Sequence, residues 1–269
     1  LFHAKRAHMA PPKEPLWRFA VPLTPTAKSY RATHRASEAR GAVAWDASYV
    51  ATIGVEGMER SVEGLLRGLG VGAGGDLEGV WSKRGQRWRE GKRSWEGWVY
   101  ERDGWPTKAV APVTVIWCVE DQDLGPGAQE GGDGAGEQPA KKRKRKVFVR
   151  VHPSAFLQLW EEVVRLAKIQ KPAVTVEDLR FEIGSIEVTG PAATEALVNV
   201  LRPNIPYTNT ENGTSPDTDS PEHIWTSLAT LTNPAALPHN ALLAFTVSDP
   251  RLCPPVTKPP NQSALPNDQ

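Results

Sequence analysis

The chain predicts an α+β fold: a mixed sheet with helices packed on it, interrupted by a low-complexity basic insert. Three observations predict it. Val147, Val149 and Val151 alternate with Phe148 and Arg150 at the period of a strand, and Phe156, Leu159, Trp160, Val163, Leu166 and Ala167 follow at the period of a helix. The same strand-then-helix order occurs earlier, from Ala42 to Leu69, and later, from Phe181 to Leu201. Between the two halves, the polar Gly- and Glu-rich residues 121–140 have too little apolar content to fold alone.

Composition divides the 269 residues into a basic arm (1–40), a first part of the α+β domain (41–120), a disordered insert ending in a basic run (121–146), a second part of the domain (147–203), and a boundary loop leading into a C-terminal region (204–269). In the arm, Lys5, Arg6, Lys13, Arg18, Lys28, Arg31, Arg35 and Arg40 face only Glu14 and Glu38. Prolines at 11, 12, 15, 22 and 25 forbid one long helix. Ala42–Ile53 reads as one or two buried strands, and Glu56–Leu69 as a helix with Met58, Val62, Leu65, Leu66 and Leu69 on its apolar side. Gly70-Val-Gly-Ala-Gly-Gly75 fits a dinucleotide-binding pattern formally, but a helix precedes it and Asp76 follows, so it reads as a linker.

Trp81–Trp105 mixes tryptophans with cations. Trp98, Tyr100 and Trp105 are expected in the core, and Arg84, Arg87, Lys92 and Arg93 facing RNA. The run Lys141, Lys142, Arg143, Lys144, Arg145, Lys146 reads as a nuclear-import signal, compatible with phosphate contact, or as a solvated loop. After residue 147, Pro153 opens a helix that Lys171-Pro172 stops. Phe181 and Ile183 share one face of a strand with a bulge at Gly184-Ser185 before Ile186 and Val188. Gly190-Pro191 starts another helix, Ile224–Leu231 forms a short one, and Ala241–Val247 is a last strand.

The formal charge of +1 conceals an asymmetry: residues 1–172 hold 28 Lys/Arg against 20 Asp/Glu, and residues 173–269 hold 4 against 11. A polyanion is the natural partner of the front, whereas the acidic back suits proteins or solvent. Interleaved cations and flat side chains in the arm suit a phosphate backbone with accessible bases, or else a solvated arm with no partner. Cys118 and Cys253 suggest reduced, buried thiols. No apolar run reaches membrane-spanning length, and a start without Met suggests a piece of a longer protein.

Catalytic and metal signatures are sparse. The six histidines are scattered, and neither His-Glu-x-x-His nor Gly-x-Ser-x-Gly occurs. Asp46 reads as a turn or cap residue, and His152 as a helix cap, ahead of acid–base roles.

Ordered segments carry a family resemblance. His3-Ala-Lys-Arg6, Pro25-Thr-Ala-Lys-Ser29, His34-Arg-Ala36, Gly41-Ala-Val-Ala-Trp-Asp46, Val149-Arg-Val-His-Pro-Ser-Ala-Phe156, Leu179 to Pro191 and Phe245 to Leu252 are similar, in that order, to segments of the largest protein subunit of eukaryotic ribonuclease P and ribonuclease MRP. Its fungal members are the expected kin. The resemblance implies a non-catalytic scaffold of a nuclear and nucleolar ribonucleoprotein. Its partners would be the ribonuclease P and MRP RNAs and the other protein subunits, with pre-tRNA and pre-rRNA met indirectly and no membrane. No cofactor is expected on this chain, since in the family the RNA binds Mg²⁺ and catalyses.

On this basis Lys5, Arg6, Lys28, Arg31 and Arg35 would neutralise phosphates. His3, His34 and Trp17 would contact or stack on bases, and Ser29 would hydrogen-bond phosphate or a 2′-hydroxyl. The arm would fold only on RNA. Leu1-Phe2 departs from the family where an aromatic such as Trp is expected. The family's front region is also thought similar to the folate-binding aminomethyltransferase fold, which keeps a folate-binding enzyme as the alternative, beside a general nuclear nucleic-acid-binding protein.

Overall fold

The computed structural model describes residues 5–10, 22–36, 38, 41–74, 77–119, 144–204, 220–231, 233–249 and 251–252. Two compact units emerge, one made of residues 1–24, 46–187 and 240–242, the other of 25–45, 188–239 and 243–269. The insert 121–140 lies outside the described residues.

The first unit is built on five strands: β4 (Ala51–Met58), β5 (Trp95–Tyr100), β6 (Ala109–Trp117), β7 (Lys144–Val151) and β8 (Thr175–Asp178), in the order β5-β6-β7-β4-β8. Every pairing is antiparallel, so this sheet is not the mixed one expected. Alternation does its work on β7, where Val147, Val149 and Val151 are buried and Phe148 and Arg150 are half-buried. β4 is buried continuously from Ala51 to Val55. It lies between β7 and β8, and Leu179 closes over its far face. A Cβ on Gly54 would sit 2.8 Å from Leu179 Cδ1, so glycine is what lets that side chain approach.

Helices α2 (Glu59–Gly68) and α5 (Phe156–Ile169) cover one face of the sheet. Val62, Leu65 and Leu66 from α2 meet Phe156, Leu159, Val163 and Leu166 from α5 in one core. Each such fully buried aliphatic side chain stabilises the fold by about 1.5–3 kcal/mol. A single turn of 3-10 helix, Pro153–Ala155, precedes α5, with His152 as its cap. The short helices α3 (Leu77–Trp81) and α4 (Gln86–Arg89) pack Val80, Trp81 and Trp88 against the same core.

Three local expectations are corrected. Glu56–Met58 continues β4 instead of opening the helix, because Glu56, Gly57 and Met58 pair with Lys146, Arg145 and Lys144. β7 accordingly begins at Lys144, inside the basic run, and not at Val147. Phe181 and Ile183 are not in a strand: the Arg180 backbone N–H and guanidinium donate back to the Asp178 carboxylate in a turn where β8 ends, and Phe181 is left exposed.

The second unit contains α1 (Ala27–Ala36), α6 (Ala193–Val200) and α7 (Pro221–Ser227). Ala241–Val247 is not a strand but an extended segment. Within this unit it makes one bridge, Val247 to Pro203, and Asn204 N–H donates to Thr246 O at 2.8 Å. Trp225 donates its ring N–H to Leu201 O at 3.0 Å and packs on Phe245, which anchors α7. Three further strands, β1 (Ala7–Met9), β2 (Pro22–Pro25) and β3 (Val43–Asp46), precede β4, and β9 (Ile186–Thr189) follows β8; β1 pairs with β2 and β3 with β9 in separate two-stranded sheets.

Candidate nucleic-acid interface

Helix α1 begins once the prolines end. Tyr30 N–H donates to Thr26 O at 3.2 Å, closing the first turn directly after Pro25. The front arm is thus helical over Ala27–Ala36. At about 100° per residue, Lys28, Arg31 and Arg35 fall on one stripe, and Tyr30 and His34 on the stripe beside it. Ser29 and Ala36 fall opposite. Burial follows this wheel: Ser29 is 3% exposed, Tyr30 is 66% exposed, and Lys28, Arg31, His34 and Arg35 are all exposed.

The Tyr30 and His34 ring centroids stand 6.1 Å apart. The three cations extend about 10 Å along the axis, beside two flat rings, and no acidic residue occupies the first turn. Such a face matches a phosphate strand with an unpaired base next to it. Ser29, expected to hydrogen-bond RNA, instead lies on the buried side of α1, so its hydroxyl is withdrawn from that face.

The second basic and aromatic stretch, in the other unit, behaves differently. Trp81, Trp88 and Trp117 form an edge-to-face ladder with centroids 5.1 and 5.8 Å apart. Arg67 caps one end, 4.6 Å from the Trp81 ring, and Arg145 the other, 5.3 Å from Trp117. Arg145 is buried and donates to Arg89 O at 2.6 Å, and the Arg89 guanidinium donates to Val80 O at 2.8 Å and Ser82 O at 3.0 Å. These cations hold the fold. Arg84, Arg87, Lys92 and Arg93 remain exposed, with Lys92 only loosely paired to Glu90 at 3.8 Å.

The core assignment within this stretch is inverted. Trp98 is 53% and Trp105 49% exposed, whereas Trp88 is 5% exposed and donates its ring N–H to Val115 O at 3.1 Å. Tyr100 is half-buried.

Other expected site residues are dispersed. Lys5 is exposed and Arg6 half-buried, just before β1. His3, Trp17, Lys141, Lys142 and Arg143 lie outside the described residues. Lys144, Arg145 and Lys146 belong to β7, where Lys146 pairs with Glu177 at 2.9 Å and Glu56 at 3.9 Å. The hydrogen bond from Lys146 to Glu177 raises the Lys146 pKa above its ordinary value. An import signal drawn over all six residues therefore overlaps a sheet strand in its second half.

Asp46 accepts from Ser48 N–H at 3.0 Å, in a turn. His152 accepts from Ser154 N–H at 3.3 Å, and burial lowers its pKa. Among the described residues, no group of three or more His, Cys, Asp or Glu is placed to hold a metal ion. Residue types along the chain do not single out Tyr30 as a site residue, although its helical spacing from His34 is the available signal.

Comparison with known proteins adds a family signal on the same segment. Residues 1–58 match the family described as the N-terminal region of the ribonucleases P/MRP protein subunit POP1. The chain is 25% identical over 261 residues to the ribonucleases P/MRP protein subunit POP1 of Saccharomyces cerevisiae, covering 93% of this chain and 24% of that protein. It is 27% identical over 203 residues to the fission-yeast subunit, covering 75% of this chain and 25% of that one. The human subunit is 25% identical over 182 residues, covering 66% and 15% respectively. The chain is thus similar to this subunit along most of its length, and spans about a quarter or less of the curated relatives it matches.

Proposed function

We propose that this chain is part of a protein subunit of ribonuclease P and ribonuclease MRP, and that it binds their RNA through α1 as a non-catalytic scaffold. The observation that carries the RNA-binding reading is the one-sided face of α1, with Lys28, Arg31 and Arg35 beside Tyr30 and His34. It lies inside residues 1–58, which match the family. The similarity to POP1 subunits supports the assignment to the particle. Arg84, Arg87, Lys92 and Arg93 supply a separate set of exposed cations for phosphate contact.

In this reading the RNA performs the cleavage of tRNA and ribosomal RNA precursors and holds the Mg²⁺, and the protein neutralises phosphates and covers unpaired bases. Nuclear and nucleolar residence belongs to the same proposal. Affinity of the full chain for ribonuclease P RNA, measured across salt concentrations, tests it. A Lys28→Ala/Arg31→Ala/Arg35→Ala variant is expected to lower the salt slope by about 2, given ~0.7 per phosphate contact on single strands. An unchanged affinity and slope would remove α1 from the interface.

A further inference from the structure

Helices α2 and α5 lie on one face of the central sheet; on the other, among the described residues, the β5–β6 end is exposed at Glu96, Trp98 and Pro112, whereas Thr52 on β4 is buried. There, Trp98 stands opposite Pro112, and Glu96, Thr114, Arg150 and Thr52 follow one another across β5, β6, β7 and β4. Ile116 and Phe148 form the next row, both half-buried. Beside Glu96 and Pro112 is a cavity of about 270 Å³, whose lining includes Thr114, Arg150, His152 and Glu187.

Charge on this face is unbalanced. Arg150 turns to Ser185, donating to its Oγ at 2.7 Å. Lys146, farther along β7, is engaged by Glu177 and Glu56. Glu96 and Glu187 are exposed, and neither carboxylate has an ion-pair or hydrogen-bond partner among the described residues. No ring or cation among the described residues stands against Trp98, which shares the open face of β5 with Glu96.

We propose that this face docks an arginine-bearing segment of another protein. The guanidinium would bond to Glu96 and Glu187 and lie flat on Trp98, with an apolar neighbour of that arginine on Pro112. Charge complementarity selects the occupant. The two carboxylates outnumber the one guanidinium, Arg150, in the cavity lining, so the site repels a phosphate backbone and attracts a cation. An exposed indole beside them favours a planar, weakly hydrated guanidinium over an ammonium. An aromatic anchor with a charged neighbour is also the usual make-up of a protein-binding hot spot. The chain would then meet RNA on α1 of the second unit and protein on this sheet face of the first.

The test titrates the full chain with a fluorescein-labelled Gly-Ser-Leu-Arg-Leu-Arg-Leu-Ser-Gly peptide and with its lysine and citrulline analogues, read by anisotropy. Saturable binding below about 1 mM is expected, weaker by roughly 3-fold or more for lysine and by 10-fold or more for citrulline. Glu96→Gln/Glu187→Gln and Trp98→Ala should each weaken the arginine peptide by about 10-fold, leaving the melting temperature and the RNA affinity unchanged. The α1 triple variant should bind the peptide normally, which separates this surface from the RNA-binding proposal. Four results would overturn it: no saturable binding, a citrulline peptide that binds equally, variants that lose RNA instead, or a dimer of this chain that the same substitutions dissolve.

Discussion

Around Trp81–Arg93 the tryptophans turn inward and draw Arg67 and Arg145 from elsewhere in the chain, while Arg84, Arg87 and Arg93 stay exposed; on Lys28–Arg35 the cations and rings turn outward. Both stretches are basic, aromatic and poor in acid, yet one packs its rings into the core and the other presents a face. The difference is set by what packs behind them. Trp88 and Trp117 have the sheet's apolar face and each other, so burying them is favourable and draws Arg67 and Arg145 onto the ends of the ladder. Helix α1 buries only Ser29, so its long side chains remain exposed. Cations beside aromatics are therefore a signal of two outcomes, and burial of the rings decides between them.

The sharpest way to break that comparison is to truncate one ring of each kind. Trp88→Ala should destabilise by about 3–5 kcal/mol in urea unfolding, whereas Trp98→Ala should stay within about 0.5 kcal/mol. Equal losses would mean that the exposed indole is also structural. Next in size, Arg145→Ala should cost about 2–3 kcal/mol, since it leaves the Arg89 and Cys118 carbonyls without their buried donor. The α1 triple variant, by contrast, should unfold within about 0.5 kcal/mol of the parent chain while losing salt-dependent RNA binding.

The smallest effect belongs to His152. Burial lowers its pKa from 6.5, so as the pH falls the unfolded chain takes up the proton first. Stability should be intact above that value, decline below it, and level off once the folded imidazole is protonated. His152→Asn keeps a cap acceptor for Ser154 N–H and removes the titration, so its urea midpoint should fall less between about pH 7.5 and 5.5.

Much of the first unit is legible in the amino-acid sequence alone. The period-2 valines of β7 and the stripe from Phe156 to Ala167 are patterns that burial enforces locally, and both hold. β8 leaves no such trace, because Thr175–Asp178 is four residues long and exists only as the partner of β4. The N-terminal stretch of β4 is readable, but Glu56–Met58 reads as helix, since their strand pairing depends on residues almost 90 positions away at Lys144–Lys146. At the candidate site, the cationic character of Lys28, Arg31 and Arg35 is plain from composition. That Ser29 faces inward and Tyr30 outward follows only once the segment is known to be one helix.

By itself the sequence determined the α+β class, the buried stripes, the surplus of cations at the front and the segments that resemble the POP1 subunit. Each is a local property of composition or period, carried by the chain whatever its partners in space. Only the tertiary structure decided which cations hold the fold and which face outward, which tryptophans are core, and that the five-stranded sheet is antiparallel with Glu96 and Trp98 exposed on β5. Those outcomes depend on pairings between strands far apart in the chain, and no window of neighbouring residues contains them.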